Sequence, residues 1–88
     1  KMNEIEVKFT IQERYLILDN TFADPGLTKR LKVALIKGKH LITKYSIDDL
    51  DCLLGFIAAE ANHTEDKKFE KKLDKLFDKL SRILEKYK

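Results

Sequence analysis

The chain has 88 residues, which is enough for one domain around a single hydrophobic core, assigned to 1–88. Apolar residues make up 43% of it and charged residues 38%, a balance that excludes a disordered chain. The net charge of +3 hides a strong segregation, because segment 29–45 carries +6 and segment 46–66 carries −6. The longest apolar run, "LLGFIAA", is far shorter than the roughly 20 residues of a membrane span, so no membrane partner is expected.

The first predicted element is a strand followed directly by a helix. In "EIEVKFT" the apolar residues alternate with charged ones, a period of two that is typical of a half-buried strand: Ile5, Val7 and Phe9. Thr10 and Glu13 then have the spacing of a capping box, in which hydroxyl and carboxylate each accept from a free backbone N–H. A helix from about Ile11 to Asn20 is therefore predicted.

The next segment admits two interpretations. Pro25 and Gly26 break the chain, and a helical stripe can be drawn through Leu27, Leu31, Ala34 and Leu35. A hairpin fits as well, since Val33 and Ile36 are β-branched, "KGK" is a turn sequence, and one side of "HLITKY" carries Leu41, Thr43 and Tyr45. We favour a hairpin over 33–45.

The C-terminal half predicts two amphipathic helices. Ser46 caps the first, whose early turns carry Asp48, Asp49 and Asp51 and whose end is expected near Asn62. The second runs from about Glu65 to Tyr87. Six positions spaced three and four apart are predicted to be core: Leu50, Leu54, Ile57, Leu73, Leu76 and Leu80.

These elements define an α+β fold. We predict a small antiparallel sheet, formed by the N-terminal strand and the 33–45 hairpin, packed against three helices. The last two helices should form an antiparallel helical hairpin that turns at 62–64, because each needs the other to bury its apolar face.

One stretch between these two helices has the residue types of a metal or catalytic site. Glu60 and His63 have the Glu-x-x-His spacing of di-iron helical bundles, but such sites need further ligands that the chain lacks. A junction explains the stretch better: Asn62 suits a left-handed helix end, Thr64 caps the next helix, and Glu65 and Asp66 fill its first turn. No metal and no catalytic residue is therefore predicted.

Cys52 is the only cysteine, which excludes an internal disulfide and suits a reducing, cytoplasmic location. Its aspartate neighbours favour the thiol over the thiolate, so we interpret it as an inert small residue. The sequence has no glycine-rich phosphate loop, and neither an enzyme nor a cofactor is expected.

The basic segment is the most suggestive functional feature. It contains six full positive charges without one acid, enough to neutralise several phosphates: Lys29, Arg30, Lys32, Lys37, Lys39 and Lys44. Tyr45 is the one aromatic there for base stacking, so a platform for single-stranded nucleic acid has little support. Ala34 and Gly38 have helix-turn-helix spacing, but the helix that would follow begins with three aspartates, which phosphates repel. The alternative is a solvated hairpin or a surface that docks on the acidic helix of its own chain.

Two functions remain from the sequence. The first hypothesis is a non-enzymatic interaction domain that binds a protein partner or itself, as a homodimer through the C-terminal helices, whose apolar stripe is generous for this length. The alternative is a nucleic-acid-binding protein that uses the basic segment.

Overall fold

The computed structural model describes residues 4–20 and 25–87, and within them three strands and four helices. In chain order these are β1 (Ile5–Thr10), α1 (Ile11–Asn20), α2 (Pro25–Val33), β2 (Ile36–Lys37), β3 (His40–Tyr45), α3 (Ile47–His63) and α4 (Lys67–Glu85). The predicted α+β class is confirmed, with the last two helices packed against each other.

The sheet is antiparallel with strand order β1–β3–β2, so β3 lies in the centre. Ile5 lies opposite Tyr45 and Phe9 opposite Leu41. The alternation in the sequence determines which face of the sheet is buried, because every second residue of β1 and β3 points into the core. The outer face stays exposed and carries Glu6, Lys8, His40, Ile42 and Lys44.

One core joins the inner face of the sheet to the helices. All six predicted core residues of α3 and α4 are buried, with at most 6% of any of them exposed. Leu84 extends the α4 stripe inside the core, and Phe69, Phe77 and Ile83 pack partly against it. The apolar face of α4 is thus largely used within the chain.

Segment 25–33 is helical, which corrects the predicted number of helices from three to four. Pro25 stands in the first turn, where its missing N–H costs nothing. Leu27 and Leu31 lie one turn apart and are buried. The Tyr45 hydroxyl donates to the Leu27 carbonyl oxygen over 2.9 Å, which ties the helix to β3. The hairpin begins only at Ile36.

Several caps follow the predictions. The Thr10 backbone N–H donates to Glu13 Oε1 at 2.8 Å and the Glu13 N–H donates to Thr10 Oγ1 at 3.1 Å, which is the expected capping box. Ser46 Oγ accepts from the Asp49 N–H, so Ser46 caps α3 as predicted.

The junction between α3 and α4 differs in detail from the prediction. α3 ends at His63 with an extended Thr64 after it, and no described non-glycine residue has a positive φ, so Asn62 is not a left-handed cap. Asp66 caps α4, because its carboxylate accepts from the N–H groups of Lys68 and Phe69. A carboxylate two residues closer to the helix outcompetes the Thr64 hydroxyl, which instead accepts from the Asp66 N–H.

Lys79 fastens α4 to the other end of the chain. Its ammonium nitrogen lies 2.7 Å from Glu13 Oε1 at the start of α1, and it donates to the Lys8 carbonyl oxygen in β1 over 2.6 Å. The same nitrogen lies 5.6 Å from the centre of the Phe9 ring. β1, α1 and α4 are therefore held at one corner.

Candidate nucleic-acid interface

The fold distributes the six predicted cations over three elements. Lys29, Arg30 and Lys32 belong to α2, Lys37 belongs to β2, Lys39 follows it in the turn, and Lys44 belongs to β3. All except Arg30 are exposed. No residue between 25 and 47 is acidic, so the surface has no negative group of its own along this part of the chain.

Arg30 is used inside the molecule. Its guanidinium lies 2.9 Å from the Asp49 carboxylate, donates to the Lys44 carbonyl oxygen over 2.8 Å, and stands 5.3 Å from the centre of the Tyr45 ring. Arg30 thus docks the basic segment on the acidic first turn of α3. For Arg30, therefore, the alternative interpretation holds, in which the basic segment docks on the acidic helix of its own chain. Arg30 is thus not one of the cations that are free to contact a partner.

Lys29 and Lys32 lie on the outer face of α2. At about 100° per residue they stand opposite Leu27 and Leu31, which face the core. Neither lysine forms an ion pair with a described residue. Both ammonium groups are therefore available to an anion in solution.

Lys37 and Lys39 flank the turn of the hairpin. Gly38 between them has a φ of 65°, a left-handed conformation that glycine adopts without steric cost. Both lysines are exposed and, within residues 4–20 and 25–87, neither has an ionic partner. Lys44 is exposed too, but it stands on the outer sheet face directly opposite Glu6, which offsets part of its charge.

Tyr45 is not available for stacking on a base. Its side chain is fully buried in the core, and burial raises the pKa of its phenol to about 12. Since Tyr45 is the one aromatic of the basic segment, a platform that stacks single-stranded bases remains as poorly supported as the sequence indicated. The alternation of β3 accounts for the burial of Tyr45, since it places this residue on the same face as Leu41.

Three large apolar side chains near these lysines are exposed, which sequence reasoning missed. The exposed fraction is 67% for Val33, 78% for Leu35 and 47% for Ile36. In the helical interpretation Leu35 belonged to a buried stripe, but α2 ends at Val33, before that stripe is complete. The sequence feature that could have indicated their exposure is their position between Lys32 and Lys37, where the helix gives way to a strand.

The other candidate site brings few ligands together. Glu60 and His63 line a shallow depression on α3 with Phe56 and Ala59, and they form no ion pair with each other. Among the described residues no group of three or more histidine, cysteine, aspartate or glutamate side chains could hold a metal ion. Cys52 is exposed and free on the same helix. The absence of a catalytic centre stays a prediction.

No family model, curated protein or solved structure was found to match the chain. None of the helices in the described part of the chain is both long and apolar enough to cross a membrane. Function is therefore inferred from the surface chemistry of these residues.

Proposed function

We propose that the protein binds nucleic-acid duplexes through the outer face of α2 and the turn of the β2–β3 hairpin. The observation that supports this most directly is a set of four exposed lysines without ionic partners among the described residues: Lys29, Lys32, Lys37 and Lys39. We call this set the lysine surface. Phosphate contacts from such a surface supply most of the affinity of non-specific duplex binding.

The arrangement of helices suits this use. α1 and α2 are neighbours separated only by residues 21–24, and they pack against each other. Two consecutive helices that pack against each other are also part of the helix-turn-helix, whose second helix enters the major groove. An α-helix with its side chains is about 10–12 Å across and fits the major groove, which is about 12 Å wide, and α2 has no acid in its first turn.

The three aspartates that were expected to repel phosphates lie on a different helix from the exposed lysines. Asp48, Asp49 and Asp51 belong to α3, whereas the helix that carries the exposed lysines is α2. Asp49 is paired with Arg30 on one flank of α2, away from the outer face. Asp49 therefore lies beside the lysine surface and limits its width on that flank.

The homodimer hypothesis stays a prediction, and α4 offers it less exposed apolar surface than the sequence suggested. It rested on a surplus apolar stripe in α4, and that stripe is largely covered by the core of its own chain; Tyr87 is its exposed end, with 53% of the side chain accessible. Self-association stays a prediction that light scattering at several protein concentrations tests. Binding of another protein likewise stays a prediction, and the lysine surface is the stronger lead.

Titration of a labelled duplex of about two helical turns, between about 50 and 200 mM salt, tests the proposal. We expect affinity to fall steeply with salt, because each phosphate contact releases condensed counterions. Each lysine of the surface changed to glutamine should reduce the log–log slope by about 0.9. Lys44→Gln should reduce it less, because Glu6 stands opposite. The loss should be the same for all duplex sequences, since phosphates carry no base information.

A matched control separates this surface from net charge. Lys71 and Lys75 are exposed lysines of α4, and Lys71→Gln with Lys75→Gln removes the same charge as Lys37→Gln with Lys39→Gln. We expect the hairpin pair to lower the slope and the α4 pair to leave it unchanged. Equal losses from both pairs, or no binding at the lowest salt, would contradict the proposal.

A further inference from the structure

The exposed apolar side chains of Val33, Leu35 and Ile36, here called the apolar patch, lie along the chain between the two halves of the lysine surface. Lys32 precedes the patch and Lys37 follows it. Burying aliphatic side chains is the main source of stability in a domain. The three side chains of the apolar patch stay exposed, so the described chain gains little stability from them.

The charges around the patch restrict what can cover it. A second copy of the chain packed patch against patch would bring lysines against lysines, and like charges placed face to face oppose association. The patch is also small, since three partly exposed aliphatic side chains supply far less than the roughly 800 Å² that each partner of a stable protein complex buries. The surroundings favour a polyanion that offers apolar surface between its charges.

A nucleic-acid duplex has this composition, with phosphates on the outside and base faces between them. Proteins that bind the minor groove commonly insert leucine or isoleucine at a base step, partly unstacking it, while nearby cations hold the phosphates. Val33 ends α2 and Leu35 and Ile36 lead into the hairpin. With α2 in the major groove, this connection would cross the adjacent phosphate backbone and bring Leu35 and Ile36 to the edge of the neighbouring minor groove.

We infer that the apolar patch, chiefly Leu35 and Ile36, contacts unstacked bases, so that the protein prefers duplexes that are easily opened. This inference rests on the proposed duplex binding and names the form of duplex preferred. A mismatch or a flexible pyrimidine–purine step lowers the energy needed for unstacking. We expect a mismatched duplex to bind on the order of tenfold more tightly than a perfect one of the same length.

The test compares perfect and mismatched duplexes that carry 2-aminopurine beside the target step. The wild-type protein should raise the fluorescence of this base analogue, which increases on unstacking. The double variant Leu35→Ser with Ile36→Ser should lose both the fluorescence rise and the mismatch preference, while its salt slope stays unchanged because the lysines remain. Ile42→Ser is the matched control, since Ile42 is also an exposed isoleucine, 41% accessible, but on the outer sheet face.

The outcomes distinguish a failure of duplex binding from a failure of the base contacts alone. No duplex binding at low salt overturns the proposed function and this inference with it. Lysine-dependent binding that the Leu35→Ser, Ile36→Ser variant leaves intact, mismatch preference included, overturns the inference alone. Vesicles of equimolar phosphatidylcholine and phosphatidylserine provide the remaining arm: if the double variant loses vesicle binding but keeps the mismatch preference, the patch is a bilayer contact and the inference is wrong. Thermal unfolding at the wild-type temperature shows that the variants remain folded.

Discussion

At the scale of single residues, Tyr45 couples the stability of the fold to alkaline pH. Burial raises its pKa to about 12, while a tyrosine in the unfolded chain titrates near 10. Below pH 10 both states hold the proton and Tyr45 contributes its full stability. Between pH 10 and 12 the unfolded state releases the proton first, so the free energy of unfolding falls as pH rises.

We expect this loss to reach about 1.4 kcal/mol at pH 11. Alkaline pH acts on other groups of the chain as well, so the control is Tyr45→Phe, which keeps the ring but removes the proton. At neutral pH the variant should be about 1 kcal/mol less stable, because it lacks the hydrogen bond to the Leu27 carbonyl. Urea unfolding at pH 7, 10 and 11 should show that gap narrowing at pH 10 and closing or changing sign by pH 11. A gap that stays constant would contradict the raised pKa.

A second residue-scale prediction concerns the start of α4. Asp66→Ala removes a carboxylate that accepts from two backbone N–H groups, at 3.0 Å from Lys68 and 3.2 Å from Phe69, and should cost about 1 kcal/mol. Thr64→Ala removes only the acceptor of the Asp66 N–H and should cost less. Denaturant unfolding of both variants measures the difference. A larger loss at Thr64 would restore the cap predicted from the sequence.

At the scale of elements, alanine substitutions at Gly38 and Gly55 are expected to change the free energy of unfolding in opposite directions. A Cβ would meet no atom within 4 Å at either Gly38 or Gly55. Gly38→Ala should cost about 1 kcal/mol, because alanine is strained at a φ of 65° in the hairpin turn. Gly55→Ala should gain about 0.5–1 kcal/mol, because alanine loses less backbone entropy in the exposed face of α3.

Chemical denaturation of the two alanine variants side by side provides the measurement. A gain at Gly38 would mean that the turn relaxes to a negative φ in solution. A loss at Gly55 would mean that this face of α3 meets a neighbour closely enough to exclude a methyl group, and it would thereby favour self-association.

The elements that the sequence predicted are those with one clear period. β1 alternates strictly, and α3 and α4 repeat over 17 and 19 residues, so their faces and most of their core residues followed from spacing. Leu53 is fully buried as well and was not among the six predicted. α2 has only nine residues, two of which are buried, so its helical stripe was too short to decide between the two interpretations. The β-branched residues next to it favoured a hairpin over 33–45, and the hairpin is present but begins only at Ile36.

The candidate interface was predictable only in part, because some of its features depend on contacts between elements that are distant in the sequence. The six cations and the lack of acids are visible in the sequence. The loss of Arg30 to an internal ion pair is not, because its partner Asp49 belongs to a later helix. The exposure of Leu35 also depends on where α2 ends, and an apolar residue is ordinarily expected in the core.

At the scale of the whole molecule, α4 is expected to unfold together with the sheet. Leu80 is fully buried in the common core, so Leu80→Ala should cost roughly 2–5 kcal/mol. That is a large part of the roughly 4–13 kcal/mol available to a domain of this size. Urea unfolding followed by circular dichroism should show a single transition at a much lower midpoint.

Lys71→Ala, at an exposed position of the same helix, should leave the midpoint nearly unchanged. If Leu80→Ala behaved like this control, α4 would be an appendage rather than part of the core, and its stripe would again be free for a partner.

The contact of Lys79 with β1 has a consequence for the behaviour of the protein at high concentration. β1 is one edge of the sheet, and an unpaired edge offers its carbonyl groups to strands of other molecules, the first step of fibril growth. The Lys79 ammonium already occupies the Lys8 carbonyl oxygen, and a charged side chain there repels an approaching strand. The opposite edge, β2, is two residues long and offers little template. A sheet of three strands, open on one face, is thus shielded from growing into a larger one.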